Sequence, residues 1–143
     1  MQVQVAAQVH HQQAVVAVRR EESQHERLAR EHGADDGLAA LPHFNPDDDI
    51  APLPPAVADW RAKVAAADGL LISSPEYARG IPGSLKNALD WLVSGPEHPG
   101  KPIACFHASE RGVVSQAALR LVLETMGTLI VDSACITINL RGT

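Results

Sequence analysis

Between residues 55 and 140 the chain alternates amphipathic helical segments with short, unbroken apolar runs, and this alternation constrains the fold more than any other feature. Pro54 and Pro55 suit a first helical turn. Val57, Trp60, Val64 and Ala67 follow at helical spacing, which predicts a helix over about 55–67. GLLISS comes next and ends in Ser-Ser-Pro; such a run suits a strand buried on both faces, as in a parallel sheet. A second helix is predicted from Pro82, with Leu85, Ala88, Leu89 and Leu92 on its buried face and Gly95-Pro96 as its stop. IACFHA reads as another strand. Gly112 leads into a helix closed by Gly127, with Ala118, Leu121, Val122 and Thr125 in one stripe and Leu119, Leu123 and Met126 in another. So wide an apolar arc suits a subunit interface as well as a core. LIVDSACITINL reads as one long strand of high β-propensity. Strands and helices in this order imply right-handed crossovers and a parallel sheet.

The N-terminal quarter is built differently. All ten prolines lie at or after Pro42 and all five aromatics at or after Phe44, while six of seven glutamines and four of seven histidines fall in the first 32 residues. Residues 1–36 thus lack the punctuation of a multi-element fold. Val3 and Val5 alternate with glutamine, and Ala14 to Val18 is a short apolar run, so both are strand candidates. Arg19 to Glu31 is charged, with Leu28 its only large apolar residue, and reads as a solvated helix. His10, His11, His25 and His32 show neither an i, i+4 pair nor a cysteine partner, so no metal is predicted. The following LAALPHFNPDDDIAPLPP has five prolines, the last two of them the helix start, and is expected to be a surface loop after at most a short strand at Leu38 to Leu41. Its three aspartates lack the glycine and closing glutamate of a calcium loop and read as a solvated turn.

A net charge of -5, from 12 Lys+Arg against 17 Asp+Glu, argues against nucleic acid as a partner. No apolar run approaches the roughly 20 residues of a membrane span, and the N-terminus lacks the layout of a secretory signal, so a cytoplasmic protein is expected. Cys105 and Cys135 sit in apolar stretches without metal spacing and read as small core residues of a reducing compartment.

In open parallel sheets ligands bind outside the carboxyl ends of the strands, which directs attention to residues 74–81 and 108–112. The first loop, Ser74-Pro75-Glu76-Tyr77-Ala78-Arg79-Gly80, combines rigid proline, flexible glycine, an aromatic platform and a cation just before a helix N-terminus. Unpaired backbone N–H groups beside a positive helix end suit an anion or an electron-rich ring. Ser109-Glu110-Arg111-Gly112 repeats that logic at the next strand. Neither loop pairs a nucleophile with a base, so no catalytic side chain is predicted. Ordinary strand-to-helix turns have the same composition.

SPEYARGIPGSLKNALDWLVS, followed by GKPIACFHAS and a turn into a long helix, resembles the flavodoxin-like NAD(P)H-dependent FMN reductase family, which includes quinone, azo-dye and chromate reductases. The resemblance runs from about Leu38 to the end. It implies a three-layer doubly wound parallel sheet ordered 2-1-3-4-5, FMN at the switch point, NADPH or NADH as co-substrate, a small electron acceptor such as a flavin or quinone, and homodimers or homotetramers. It places Ser74, Pro75, Glu76 and Tyr77 along the flavin ring, the backbone of Ala78, Arg79 and Gly80 near its redox edge, and Ser109, Glu110, Arg111 and Gly112 on its pyrimidine side. Ala78 stands where the family usually has asparagine.

The family's phosphate loop, of Gly-Ser-x-Arg type and rich in serine and asparagine, should lie between the first strand and first helix, yet residues 1–36 hold one serine, Ser23, and one glycine, Gly33. Residues 1–36 are therefore expected to be an atypical N-terminal segment foreign to the family, and residues 37–143 the FMN reductase domain, lacking the family's last helix. The leading expectation is an enzyme that reduces flavins or quinones with NAD(P)H. The alternative is a truncated, non-catalytic remnant that keeps the dimer surface and holds no FMN. A docking module using residues 74–82 for a peptide or anion is a third, weaker possibility.

Overall fold

In chain order the elements are β1 (Gln4–Val5), β2 (Ala14–Arg19), α1 (Gly37–Ala40), α2 (Pro55–Ala66), β3 (Gly69–Ser73), α3 (Gly83–Val93), β4 (Pro102–His107), α4 (Val113–Thr125), β5 (Leu129–Ile130) and β6 (Ile136–Thr137). These come from a computed structural model that describes residues 4–5, 14–19, 37–107 and 112–137. The 19–31 helix expected from the sequence lies outside them, except that Arg19 ends β2.

The two apolar runs form the centre of a six-stranded sheet. β3 and β4 pair in parallel, with Leu70 opposite Ile103 and Ile72 opposite Cys105. Alternate residues face opposite sides of a sheet, so Leu70, Ile72, Ile103 and Cys105 share one face. Over that face pack Val64 of α2, Leu85, Leu89 and Leu92 of α3, and Leu119 and Leu123 of α4. Burying a Leu or Ile side chain contributes about 1.5–3 kcal/mol, so this layer is the main source of stability. A second cluster, Leu41, Val57, Ala88 and Trp91, joins the segment after α1 to α2 and α3. The other sheet face carries Leu71, Ala104, Phe106 and the half-exposed Leu129 and Ile136. Among the described residues no helix is long and apolar enough to cross a membrane.

The parallel α/β sheet expected from the alternation is present from β3 onward, and the N-terminus is the atypical part. β2 lies beside β3 but runs antiparallel, with Ala14 opposite Ser73 and Val18 opposite Gly69, and β1 extends it as an antiparallel neighbour. The spatial order is β1-β2-β3-β4-β5, with β6 also on β4, in place of the implied 2-1-3-4-5. A short apolar run looks the same in either direction, so its sequence does not specify which way it pairs.

Two further expectations are corrected. Leu38 to Leu41 is not a strand: residues Gly37–Ala40 are one helical turn, because Leu38 and Leu41 pack against the α2–α3 cluster. The long strand of LIVDSACITINL is instead broken into β5, a 3-10 turn at Asp132–Ala134, and β6. Asp132 opens that turn, and its carboxylate pairs with Arg120 of α4 at 2.5 Å. The turn inserts extra chain, so Ile103 pairs with Ile130 whereas Phe106 pairs with Ile136.

Candidate functional site

At the carboxyl end of β3, residues 77–80 close a tight turn on themselves. Tyr77 N–H donates to Gly80 O and Gly80 N–H to Tyr77 O, both at 3.0 Å. Ala78 and Arg79 occupy the left-handed region, with φ of 49° and 61°. Two positive φ values under a doubly bonded pair define a type I′ turn, usually filled by Asn-Gly. A residue with a Cβ in this region costs roughly 1–2 kcal/mol. The strain sits at the tip of the loop singled out from the sequence, where strain and function commonly coincide. Among the described residues the Ala78 and Arg79 N–H groups take no partner, so the tip presents two outward donors between the exposed side chains of Tyr77 and Arg79.

Glu76 points the other way. Its Oε2 accepts the Ser115 N–H at 3.0 Å, in the first turn of α4. A carboxylate there satisfies one of the helix's orphan donors and lies at the positive end of its dipole. Ser115 Oγ in turn donates to Gly112 O at 3.1 Å. The loop after β3 is thereby tied to the start of α4, and two segments expected to share a site are brought together through Glu76, Gly112 and Ser115. Ser109, Glu110 and Arg111 lie outside the described residues. Ser74 Oγ donates to Pro75 O at 3.2 Å, which stiffens the exit from β3. At α3, Pro82 supplies no side-chain cap, so the helix's positive end opens directly behind the turn.

Two features of this end of the sheet were missed by sequence reasoning. His107 closes β4 and is half-buried, and that burial lowers its pKa below the usual 6.5, which leaves it neutral at pH 7. A histidine ending an apolar strand just before a predicted loop was the available signal. Asn87, one turn into α3, accepts the Phe44 N–H on Oδ1 at 2.7 Å and donates from Nδ2 to Pro42 O at 2.9 Å. Trp91, four residues on, donates its indole N–H to the same carbonyl at 2.8 Å. The Asn and Trp of LKNALDW thus clamp residues 42–44 to α3, and their i, i+4 spacing is the sequence trace of that clamp.

The residues at hand fit the ring of a flavin better than its phosphate. The turn supplies outward N–H donors, an exposed aromatic face and a cation. β2 ends at Arg19, beside the amino end of β3, so its carboxyl end faces away from the 74–82 loop. Helix N-termini and glycine turns that bind phosphates lie at the carboxyl ends of parallel strands.

Comparison with known proteins agrees with this geometry. Residues 14–141 match the family described as NADPH-dependent FMN reductase. An NAD(P)H-dependent FMN reductase of Pseudomonas aeruginosa is 43% identical over 74 residues, 50% of this chain and 40% of that protein. A quinone reductase of Escherichia coli K12 is 35% identical over 85 residues, 55% of this chain and 45% of that protein. The chain thus spans less than half the length of these curated relatives. In three dimensions it is similar to FerB, a flavoenzyme NAD(P)H:(acceptor) oxidoreductase from Paracoccus denitrificans, with a TM-score of 0.59 and 27% identity over 80% of this chain and 70% of that one. A match covering nearly the whole chain, together with the SPEY turn and LKNALDW helix it folds around, means that the chain belongs to the NADPH-dependent FMN reductase family.

Proposed function

We propose that this chain is an NAD(P)H-dependent oxidoreductase that uses FMN to reduce a flavin, a quinone or a similar small acceptor. The observation that carries this reading is the type I′ turn at Tyr77–Gly80, with its donors turned outward at the carboxyl end of the sheet. FMN, when bound, supplies the two-electron relay between nicotinamide and acceptor. The chain's own contribution is binding and electrostatics. Tyr77 offers a flat apolar face for stacking. The Ala78 and Arg79 N–H groups, with the Arg79 guanidinium, place positive charge where a reduced ring becomes negative. Glu76 positions the turn by its bond to Ser115 and is a positioning residue. Exposed Val113 and Leu121 on the outer side of α4 support assembly as homodimers or pairs of dimers.

A second reading, a non-catalytic remnant that keeps the dimer surface, is favoured by one observation: β2 runs antiparallel to β3, so its carboxyl end at Arg19 lies at the opposite end of β3 from the 74–82 loop. Steady-state oxidation of NADPH and NADH with benzoquinone, in excess FMN, separates the two. The enzyme reading expects FMN-dependent consumption of at least one nicotinamide, whereas rates equal to the protein-free control for both would favour the remnant.

A further inference from the structure

Cys105 and Cys135 are separated by 30 positions in the sequence, yet the fold places them side by side. β4 and β6 pair in parallel with Phe106 opposite Ile136 and His107 opposite Thr137. One step back along both chains sets Cys105 opposite Cys135, and Cys135 is already extended, with φ -79° and ψ 128°. Neighbouring strands lie about 4.8 Å apart, inside the Cα separation of roughly 4.4–6.8 Å that a disulfide requires. The Cys105 N–H donates to Cys135 Sγ at 3.3 Å, so the second sulfur is turned toward the first residue rather than toward solvent. Both thiols are free.

We propose that Cys105 and Cys135 are an oxidisable pair that closes to a disulfide, stapling β6 to β4 beside the candidate site. Cys135 is half-buried and Cys105 buried, so a small oxidant reaches Cys135 first. With hydrogen peroxide, the Cys135 sulfur attacks the O–O bond and becomes a sulfenic acid as one water leaves. The Cys105 sulfur then attacks the Cys135 sulfur, the S–S bond forms, and the sulfenic oxygen departs as a second water. Two thiols and one peroxide give one disulfide and two waters; a dithiol reductant reverses the change. The thiol of Cys105 is pushed up to about 12, first by burial and then by the neighbouring Cys135, so the second step accelerates as pH rises through the neutral range. The staple closes a loop containing all of α4 and β5 and anchors β6, a two-residue strand whose ladder partner is β4.

The test treats the full chain with stoichiometric hydrogen peroxide, quenches with an alkylating reagent under denaturing conditions, and maps peptides without reduction. Expected are a Cys105–Cys135 linked peptide, a whole protein lighter by two hydrogens, recovery of both thiols after dithiothreitol, faster closure at pH 9 than at pH 7, and a higher Tm for the oxidised form. The Cys135→Ser and Cys105→Ser variants lose the linked peptide. Wild-type protein in which Cys135 proceeds to a sulfinic acid while Cys105 stays reduced overturns the proposal, as does a linkage found only between molecules. Because the first readout uses the wild-type chain, poor folding of a serine variant leaves the test intact.

Discussion

Replacing Trp91 by alanine is expected to destabilise the protein by about 3–5 kcal/mol, the usual cost of deleting a large buried aromatic. Trp91 is fully buried in the cluster that joins the segment after α1 to α2 and α3. Its ring meets Phe44 edge to face at a centroid distance of 5.0 Å, and its indole N–H holds Pro42 O at 2.8 Å. Against a typical total of about 5–15 kcal/mol, the loss is a large share. Trp91→Phe keeps most of the volume and gives up one hydrogen bond, worth about 1 kcal/mol. Pro42 O would still receive the Asn87 amide, so the smaller cost applies. Urea unfolding of the three proteins checks the order; an alanine variant within about 1 kcal/mol of wild type would show that the clamp on residues 42–44 carries little of the stability.

Arg61→Leu is expected to cost a similar amount for a different reason. The guanidinium lies 3.0 Å from Glu97 and 3.3 Å from Asp49, with side-chain exposures of only 13%, 12% and 9%. Removing the cation leaves two carboxylates out of water and unpaired, and breaking a buried pair in this way typically costs about 3–5 kcal/mol. Glu97 Oε2 already lacks a partner, so it has no second bond to fall back on. The space is also tight, since a Cβ on Gly95 would overlap both Glu97 Oε2 and the guanidinium. Lys63→Ala provides the control: its ion pair with Asp59, at 2.7 Å, is exposed on both sides and is expected to contribute less than about 1 kcal/mol. Thermal melts should place R61L well below K63A. Equal shifts would mean that the Asp49–Arg61–Glu97 group is open to solvent in solution.

Much of the parallel sheet was legible because Leu70, Ile72, Ile103 and Cys105 fall in runs that make sense only when covered, and because Pro54, Pro55, Pro82, Gly112 and Gly127 mark the helix ends. What was not legible depends on partners distant in sequence. Four apolar residues at Leu38 to Leu41 cannot separate a strand from one helical turn; contact with Trp91's cluster decides it. The break at Asp132 accompanies a contact with Arg120, twelve residues away on another element. The bond from the Ser115 N–H to the Glu76 carboxylate, 39 residues away, has no trace in the local sequence of either residue. The cysteines read as isolated core residues because their adjacency depends on the offset that the Asp132–Ala134 turn introduces. The direction of β2 leaves no trace in the composition of AVVAVR.

The proposed flavin site at the Tyr77–Gly80 turn holds the cofactor chiefly through its ring. Several charge-assisted hydrogen bonds at about 1.5–3 kcal/mol each would favour FMN over riboflavin by more than about a thousandfold. Equilibrium titration of the protein into FMN and into riboflavin, followed by flavin fluorescence, measures that ratio directly. Saturable quenching with both flavins is expected, with dissociation constants within about tenfold of each other. Quenching by neither flavin would contradict the ring site, and FMN preferred a thousandfold or more would contradict a flavin held chiefly by its ring.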